Sequence, residues 1–137
     1  MTYTISEFAK KLGLTAYTLR YYEKEGLLPF VERINGRRVF KDEDFTLVRT
    51  LICLKNTGMP IREIKEYMDL CQRGDCTLEQ RHNIILKQKD LLEKKICSLQ
   101  RNLEVLKHKE EYYQKAIEAG TENIDGLDEI LWRNEKG

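Results

Sequence analysis

From Leu78 to Ile117, apolar side chains return every seventh residue, and that spacing commits the second half of this 137-residue chain to one long helix with a partner. One row reads Leu78, Ile85, Leu92, Leu99, Leu106 and Tyr113. A second row, four residues after each, reads His82, Lys89, Ile96, Leu103, Glu110 and Ile117. Six heptads with one nearly unbroken apolar row argue a coiled coil. The second row is apolar only in its middle and at its far end, so the seam should be tightest between Leu92 and Leu106. Ile85, Leu92, Ile96, Leu99, Leu103 and Leu106 are the expected dimerisation residues. At about 1.5 Å per residue, a helix over residues 77–118 would be roughly 60 Å long. Alone it would leave its leucines in water, and a second copy of the chain is the simplest cover. A homodimer is expected. Gly120 ends the helix, and an acidic tail over 119–137 carries Ile124, Leu127, Ile130, Leu131 and Trp132, which suggest one last short helix.

The front of the chain is built differently. Thr4-Ile5-Ser6-Glu7 has the form of a capping box, with Thr4 accepting from the first turn and Glu7 reaching back. Ile5, Phe8, Ala9 and Leu12 follow at helical spacing and stop at Gly13. Thr15 is the next cap, for a second helix from Ala16 to about Lys24 that ends at Gly26. Two short helices so closely joined read as a helix-turn-helix. Beyond Pro29, the runs Val31–Ile34 and Arg37–Phe40 flank Asn35-Gly36, the strongest short hairpin signal, and predict a small wing on the helical core. Asp42-Glu43-Asp44 would cap and charge the start of a third helix carrying Phe45, Leu47, Val48, Leu51, Ile52 and Leu54. Pro60 opens a fourth, and Cys71 to Cys76 reads as a connector. The expected domains are therefore 1–72, 73–118 and 119–137.

Charge separates the two ends. The net charge of +1 conceals eight lysines and arginines against four acidic residues over 1–41, and three against eight over 110–137. Only the front suits a polyanion. No apolar run approaches the roughly 18 residues of a membrane span, and no charged-then-apolar leader opens the sequence. Four cysteines without such a leader point to the reducing cytosol and to free thiols. Membrane-spanning, collagen-like and disulfide-scaffold classes are excluded.

The second helix, within TAYTLRYYEKEGL, is the richest in recognition chemistry. Thr15, Tyr17, Thr18, Arg20 and Tyr21 gather hydroxyls, a guanidinium and aromatic edges near one end, as a helix reading phosphates and base edges requires. Arg20 can fork to guanine or phosphate. Tyr21 and Tyr22 have an alternative as core or rim aromatics, favoured for Tyr22, which is in register with Leu19. Alternation sends Arg37 and Arg38 to opposite faces of the hairpin, so one should face a ligand while the other braces the wing; both are candidate DNA contacts, and Arg38→Ala, like Arg20→Ala, is expected to weaken duplex binding. Lys10, Lys11, Lys41 and Lys55 are further phosphate candidates.

The residues YTISEFAKKLGLTAYTLRYYEKEGLL, the wing INGRRVF and the pair DEDFTLVRTLICLKNTGMPIREI, in this order, resemble the MerR family of bacterial transcriptional regulators. The resemblance runs from Thr4 through Tyr67 and, with the following helix, spans nearly the whole chain. It implies a mostly α fold: a winged helix-turn-helix DNA-binding domain, then a long antiparallel coiled-coil dimerisation helix. It also implies double-stranded promoter DNA as partner, bound at a pseudo-palindromic operator. Family members kink and untwist an over-long promoter spacer so that RNA polymerase can engage, a use of indirect readout.

The effector is read less directly. Metal-sensing members use cysteines at both ends of the dimerisation helix, whereas here Cys97 lies mid-helix and no cysteine follows it. Cys71 and Cys76 sit near the first of those positions without their partners. His82 and His108 are too far apart on the long helix to close a tetrahedral site within one chain. No metal or other cofactor is expected, and a metal-responsive regulator is the weaker alternative. Drug-sensing members carry a ligand-binding domain that about 20 residues cannot form. Cys53 falls outside the apolar arc of the third helix, one turn after Arg49, and a thiol so placed is expected to be reactive. This arrangement resembles a MerR subgroup that senses aldehydes or other electrophiles through one such cysteine; a small residue of no special function is the alternative. Cys97, beside the seam, is most simply packing. A catalytic role has no support in a nucleophile–base pair or a glycine-rich phosphate loop. The remaining alternative is a coiled-coil adaptor whose front domain binds protein.

Overall fold

The computed structural model describes residues 1–123; the expected tail helix over Ile124–Trp132 lies outside them. The fold is mostly helical, with a small antiparallel sheet and one long C-terminal helix. In chain order it comprises β1 (Thr2–Tyr3), α1 (Ile5–Leu12), α2 (Ala16–Lys24), β2 (Glu32–Ile34), β3 (Arg37–Lys41), α3 (Asp44–Asn56), α4 (Ile61–Arg73), a 3-10 turn (Asp75–Thr77) and α5 (Leu78–Ala119). The chain divides into two compact units, Met1–Lys89 and Asp90–Gly137.

In the first unit, α1 starts with the full capping box: Thr4 Oγ1 accepts the Glu7 N–H at 3.2 Å, and Glu7 Oε1 accepts the Thr4 N–H at 3.4 Å. Thr15 caps α2 by accepting the Thr18 N–H at 3.1 Å. The Asn-Gly turn has Asn35 at φ 53° and Gly36 at φ 78°, the pair of positive angles that a two-residue hairpin needs. This turn fixes the register Ile34↔Arg37, Arg33↔Arg38 and Glu32↔Val39.

One strand is added to the expected wing, and two local expectations are corrected. The hairpin is not alone, because Thr2 and Tyr3 pair with Lys41 and Phe40 to make a three-stranded sheet ordered β1-β3-β2. Two residues before a capping box carry too little pattern to be read as a strand. Next, Asp42-Glu43-Asp44 does not cap α3 through a side chain. Asp42 accepts the Tyr3 hydroxyl at 2.5 Å, and the buried Asp44 accepts the Lys41 N–H at 2.8 Å, so both carboxylates serve the sheet. Finally, α4 runs through Cys71 to Arg73, which leaves only Gly74 and the 3-10 turn as connector.

The core of this unit closes around Phe8, whose ring stacks on Phe40 and on Phe45, each at 4.4 Å between centroids. Leu19, Leu27, Val48, Leu51, Ile64 and Met68 are fully buried around it. Helix α5 is anchored to the same unit at its start. Ile84 packs on the core, and Gln88 Nε2 donates to Thr57 Oγ1 at 3.0 Å. In the second unit, α5 buries only Ala116 among the described residues. There Ile96, Leu99, Leu103 and Leu106 are exposed, as is Ile85 at the edge of exposure in the first unit.

Candidate nucleic-acid interface

Helix α2 offers its recognition residues because its apolar side is narrow: Leu19 and Tyr22 are buried, and the rest of the turn is left outward. Tyr17 is 77% exposed and Arg20 is exposed without an ion-pair partner among the described residues. Thr15 and Thr18 are joined hydroxyl to hydroxyl at 2.9 Å, so part of their hydrogen-bonding capacity is spent holding the helix start. Tyr22 belongs to the core, as its register with Leu19 suggested, while Tyr21 keeps 38% of its surface. Lys55, at the end of α3, sits over both rings, 5.9 Å from the Tyr21 centroid and 5.1 Å from that of Tyr22. Lys55 is itself exposed, so its charge faces solvent.

The two hairpin arginines part company. Arg38 lies on the face that carries the buried Phe40, where its Nε donates to a carboxylate oxygen of Glu23 at the end of α2. Arg37 lies on the other face, exposed and without a partner among the described residues. Arg33, which sequence reasoning passed over, stands opposite Arg38 and donates to the second oxygen of Glu23 at 2.8 Å. A two-residue turn determines that pairing, so the arginine pair was readable from the sequence; the carboxylate between them was not.

The other basic candidates divide in the same way. Lys10 is exposed. Lys11 lies over the Tyr3 ring at 5.4 Å, and Lys41 is paired with Glu32 at 2.9 Å, which holds its pKa above the usual value. Across the sheet, hydrogen bonding to Asp42 raises the Tyr3 pKa, and the same bond lowers that of Asp42. Burial pushes the Asp44 carboxyl up, against the opposing pull of the Lys41 N–H.

Of the thiols, Cys53, Cys76 and Cys97 are exposed and Cys71 is half-buried. The Arg49 guanidinium lies over the Phe45 ring at 5.6 Å. Cys53 O accepts the Thr57 N–H at 3.0 Å, which places the thiol one turn from the hydrogen bond joining α3 to α5. No three His, Cys, Asp or Glu residues among those described lie close enough to hold a metal ion, and no described helix is long and apolar enough to cross a membrane.

Comparison with known proteins gives consistent matches. A model of the MerR HTH family regulatory proteins matches residues 3–71, and a MerR DNA-binding model matches 47–109. An uncharacterized HTH-type transcriptional regulator of Haemophilus influenzae is 42% identical over 131 residues, covering 95% of this chain and 97% of the relative. The HTH-type transcriptional regulator AdhR of Bacillus subtilis is 42% identical over 89 residues, 64% of each chain. Among solved structures, HiNmlR, described as a MerR family regulator lacking the sensor domain and bound to promoter DNA, superposes with a TM-score of 0.77. It is 43% identical, covering 88% of this chain and 97% of that one.

Proposed function

Because this chain belongs to the MerR family of HTH transcriptional regulators, we propose that it binds a pseudo-palindromic promoter operator as a homodimer and remodels the promoter spacer for RNA polymerase. Residues 1–72 form the DNA-binding domain, 73–118 the connector and dimerisation helix, and 119–137 an acidic tail. The observation that carries this reading is the exposed, cation-bearing edge of α2 together with the exposed Arg37 of the wing, in a fold whose relative was solved on promoter DNA. Thr15, Tyr17, Thr18, Arg20, Tyr21, Arg37 and Lys55 meet the duplex. Arg38 acts from behind, as the brace that alternation reserved for one of the two arginines.

Arg20→Ala is expected to cost about 1–3 kcal/mol in specific duplex binding if it reads a base. Arg37→Ala should weaken all sequences alike and lower the salt slope by about 1. Both should leave the oligomeric state intact. Duplex binding without salt dependence would instead favour the adaptor, because phosphate contacts release counterions.

The same reading extends to the effector. Cys53 is exposed, and its backbone is bonded to Thr57, which Gln88 of α5 holds. An electrophile captured by this thiol would act on the junction between the DNA-binding domain and the long helix. On this reading the regulator is electrophile- or redox-responsive, through a small effector that acts at Cys53.

A further inference from the structure

Strands β2 and β3 put Arg33 and Arg38 directly opposite each other, on one face of a three-residue ladder. Side chains so placed have Cβ atoms only about 4.5–5.5 Å apart, and like charges in that position oppose pairing. The hairpin nevertheless forms with both guanidiniums turned to a single acceptor. Glu23 Oε1 takes Arg33 at 2.8 Å, and Glu23 Oε2 takes Arg38. Arg33 also donates through its other nitrogen to Gly36 O at 3.3 Å, so one carboxylate is linked to the strand pair and to the tip of the turn. Glu23 lies on the recognition helix, one turn beyond Arg20, and its side chain is 22% exposed.

We propose that Glu23 is a positioning residue for duplex recognition: it fixes the wing relative to α2 and withholds Arg33 and Arg38 from phosphate. This rests on the DNA-binding reading given above. An acidic side chain beside a polyanion opposes binding electrostatically, so its value lies in geometry. With the wing held, Arg37 stands at one place relative to Arg20, and only a duplex that offers phosphate and base edges at that spacing satisfies both. Without the carboxylate, the repelling arginines separate, the hairpin loosens, and two freed cations bind any duplex. Affinity for non-specific DNA then rises while discrimination falls.

The experiment uses the full chain, a duplex that the parent protein selects from a random library, and poly(dI-dC) as non-specific DNA. Glu25→Gln supplies the same charge change two residues on, at the C-cap of α2, without the two arginines. Relative to it, Glu23→Gln is expected to lose tenfold or more in the ratio of selected to non-specific affinity. Its salt slope on poly(dI-dC) should steepen by about 1–2, near 0.9 per released guanidinium. Adding Arg33→Gln and Arg38→Gln should abolish that steepening. Equal ratios and slopes for Glu23→Gln and Glu25→Gln would overturn the proposal. So would a fall of about 2 in slope when Arg33→Gln and Arg38→Gln are combined with Glu23 intact, a measurement that also serves if Glu23→Gln fails to fold. Hydrogen exchange of the amides of residues 32–41, without DNA, separates this inference from its premise. Faster exchange in Glu23→Gln alone supports the brace even if no duplex is bound; unchanged exchange sinks it.

Discussion

At the scale of single residues, the side chains that fold the DNA-binding unit are distinct from those proposed to meet DNA, even where they adjoin. Tyr22 is buried while Tyr21 beside it is not, and Arg38 is anchored while Arg37 is free of partners among the described residues. The Tyr3–Asp42 bond gives this separation a pH signature. Asp42 has a folded pKa below the usual 3.8, so its contribution to stability is present above that value and lost as pH falls through the depressed one. Tyr3 is raised above 10.0, so its contribution is present below that value and lost as pH rises through the raised one. Tyr3→Phe should therefore melt lower than the parent at pH 7, and the Tm difference should shrink as pH falls below 3.8 and as it rises above 10.0. A Tm difference independent of pH would mean that the hydroxyl stabilises nothing. For Cys53, the expected outcome is faster labelling by a thiol reagent at neutral pH than for Cys71 or Cys76. Cys53→Ser should keep duplex binding and lose the response to electrophiles; equal labelling of the three would remove the sensor role.

At the scale of elements, junctions matter more than helices. The turn from α4 to α5 depends on Gly74 at φ 84° and ψ −155°, a region essentially restricted to glycine, and on the buried Thr77. Thr77 Oγ1 shares its one proton between Leu70 O at 2.6 Å and Gly74 O at 2.8 Å, and accepts from Arg81 Nε at 3.0 Å. Thr77→Val keeps the shape and deprives buried groups of their partner, so urea unfolding should show a loss of about 1–3 kcal/mol. An unchanged midpoint would show that the junction does not depend on this hydroxyl. Such junctions mark where sequence reading succeeds and stops. The Thr4 capping box, the Asn35-Gly36 turn and the heptads of α5 are local patterns, and each was legible. Strand β1 was not, because two residues acquire a partner only once β3 is in place. Asp42 and Asp44 carried a helix-cap signal that the sheet's own demands overrode. Glu23 was invisible as a brace for the same reason: its charge lies ten residues from Arg33 and fifteen from Arg38, joined to them only by the fold.

At the scale of the whole molecule, the exposed row on α5 is what asks for a second chain. Leu99 is 60% exposed and Leu106 63%, with Ile96 and Leu103 near one half. Burying each such side chain fully stabilises an assembly by about 1.5–3 kcal/mol, and a seam of six supplies far more than isolated surface leucines would. The same pairing would set two DNA-binding units at one separation, which a pseudo-palindromic site requires and a lone unit cannot meet. Two copies on one duplex is thus the claim on which the operator, the remodelled spacer and the role of the wing all depend. Sedimentation of the purified chain, alone and with its selected duplex, tests it most directly. The account expects twice the chain mass without DNA and two chains per duplex with it, and Leu99→Lys with Leu103→Lys should reduce the first to a single chain. A parent protein that sediments as one chain and binds one per duplex would contradict it.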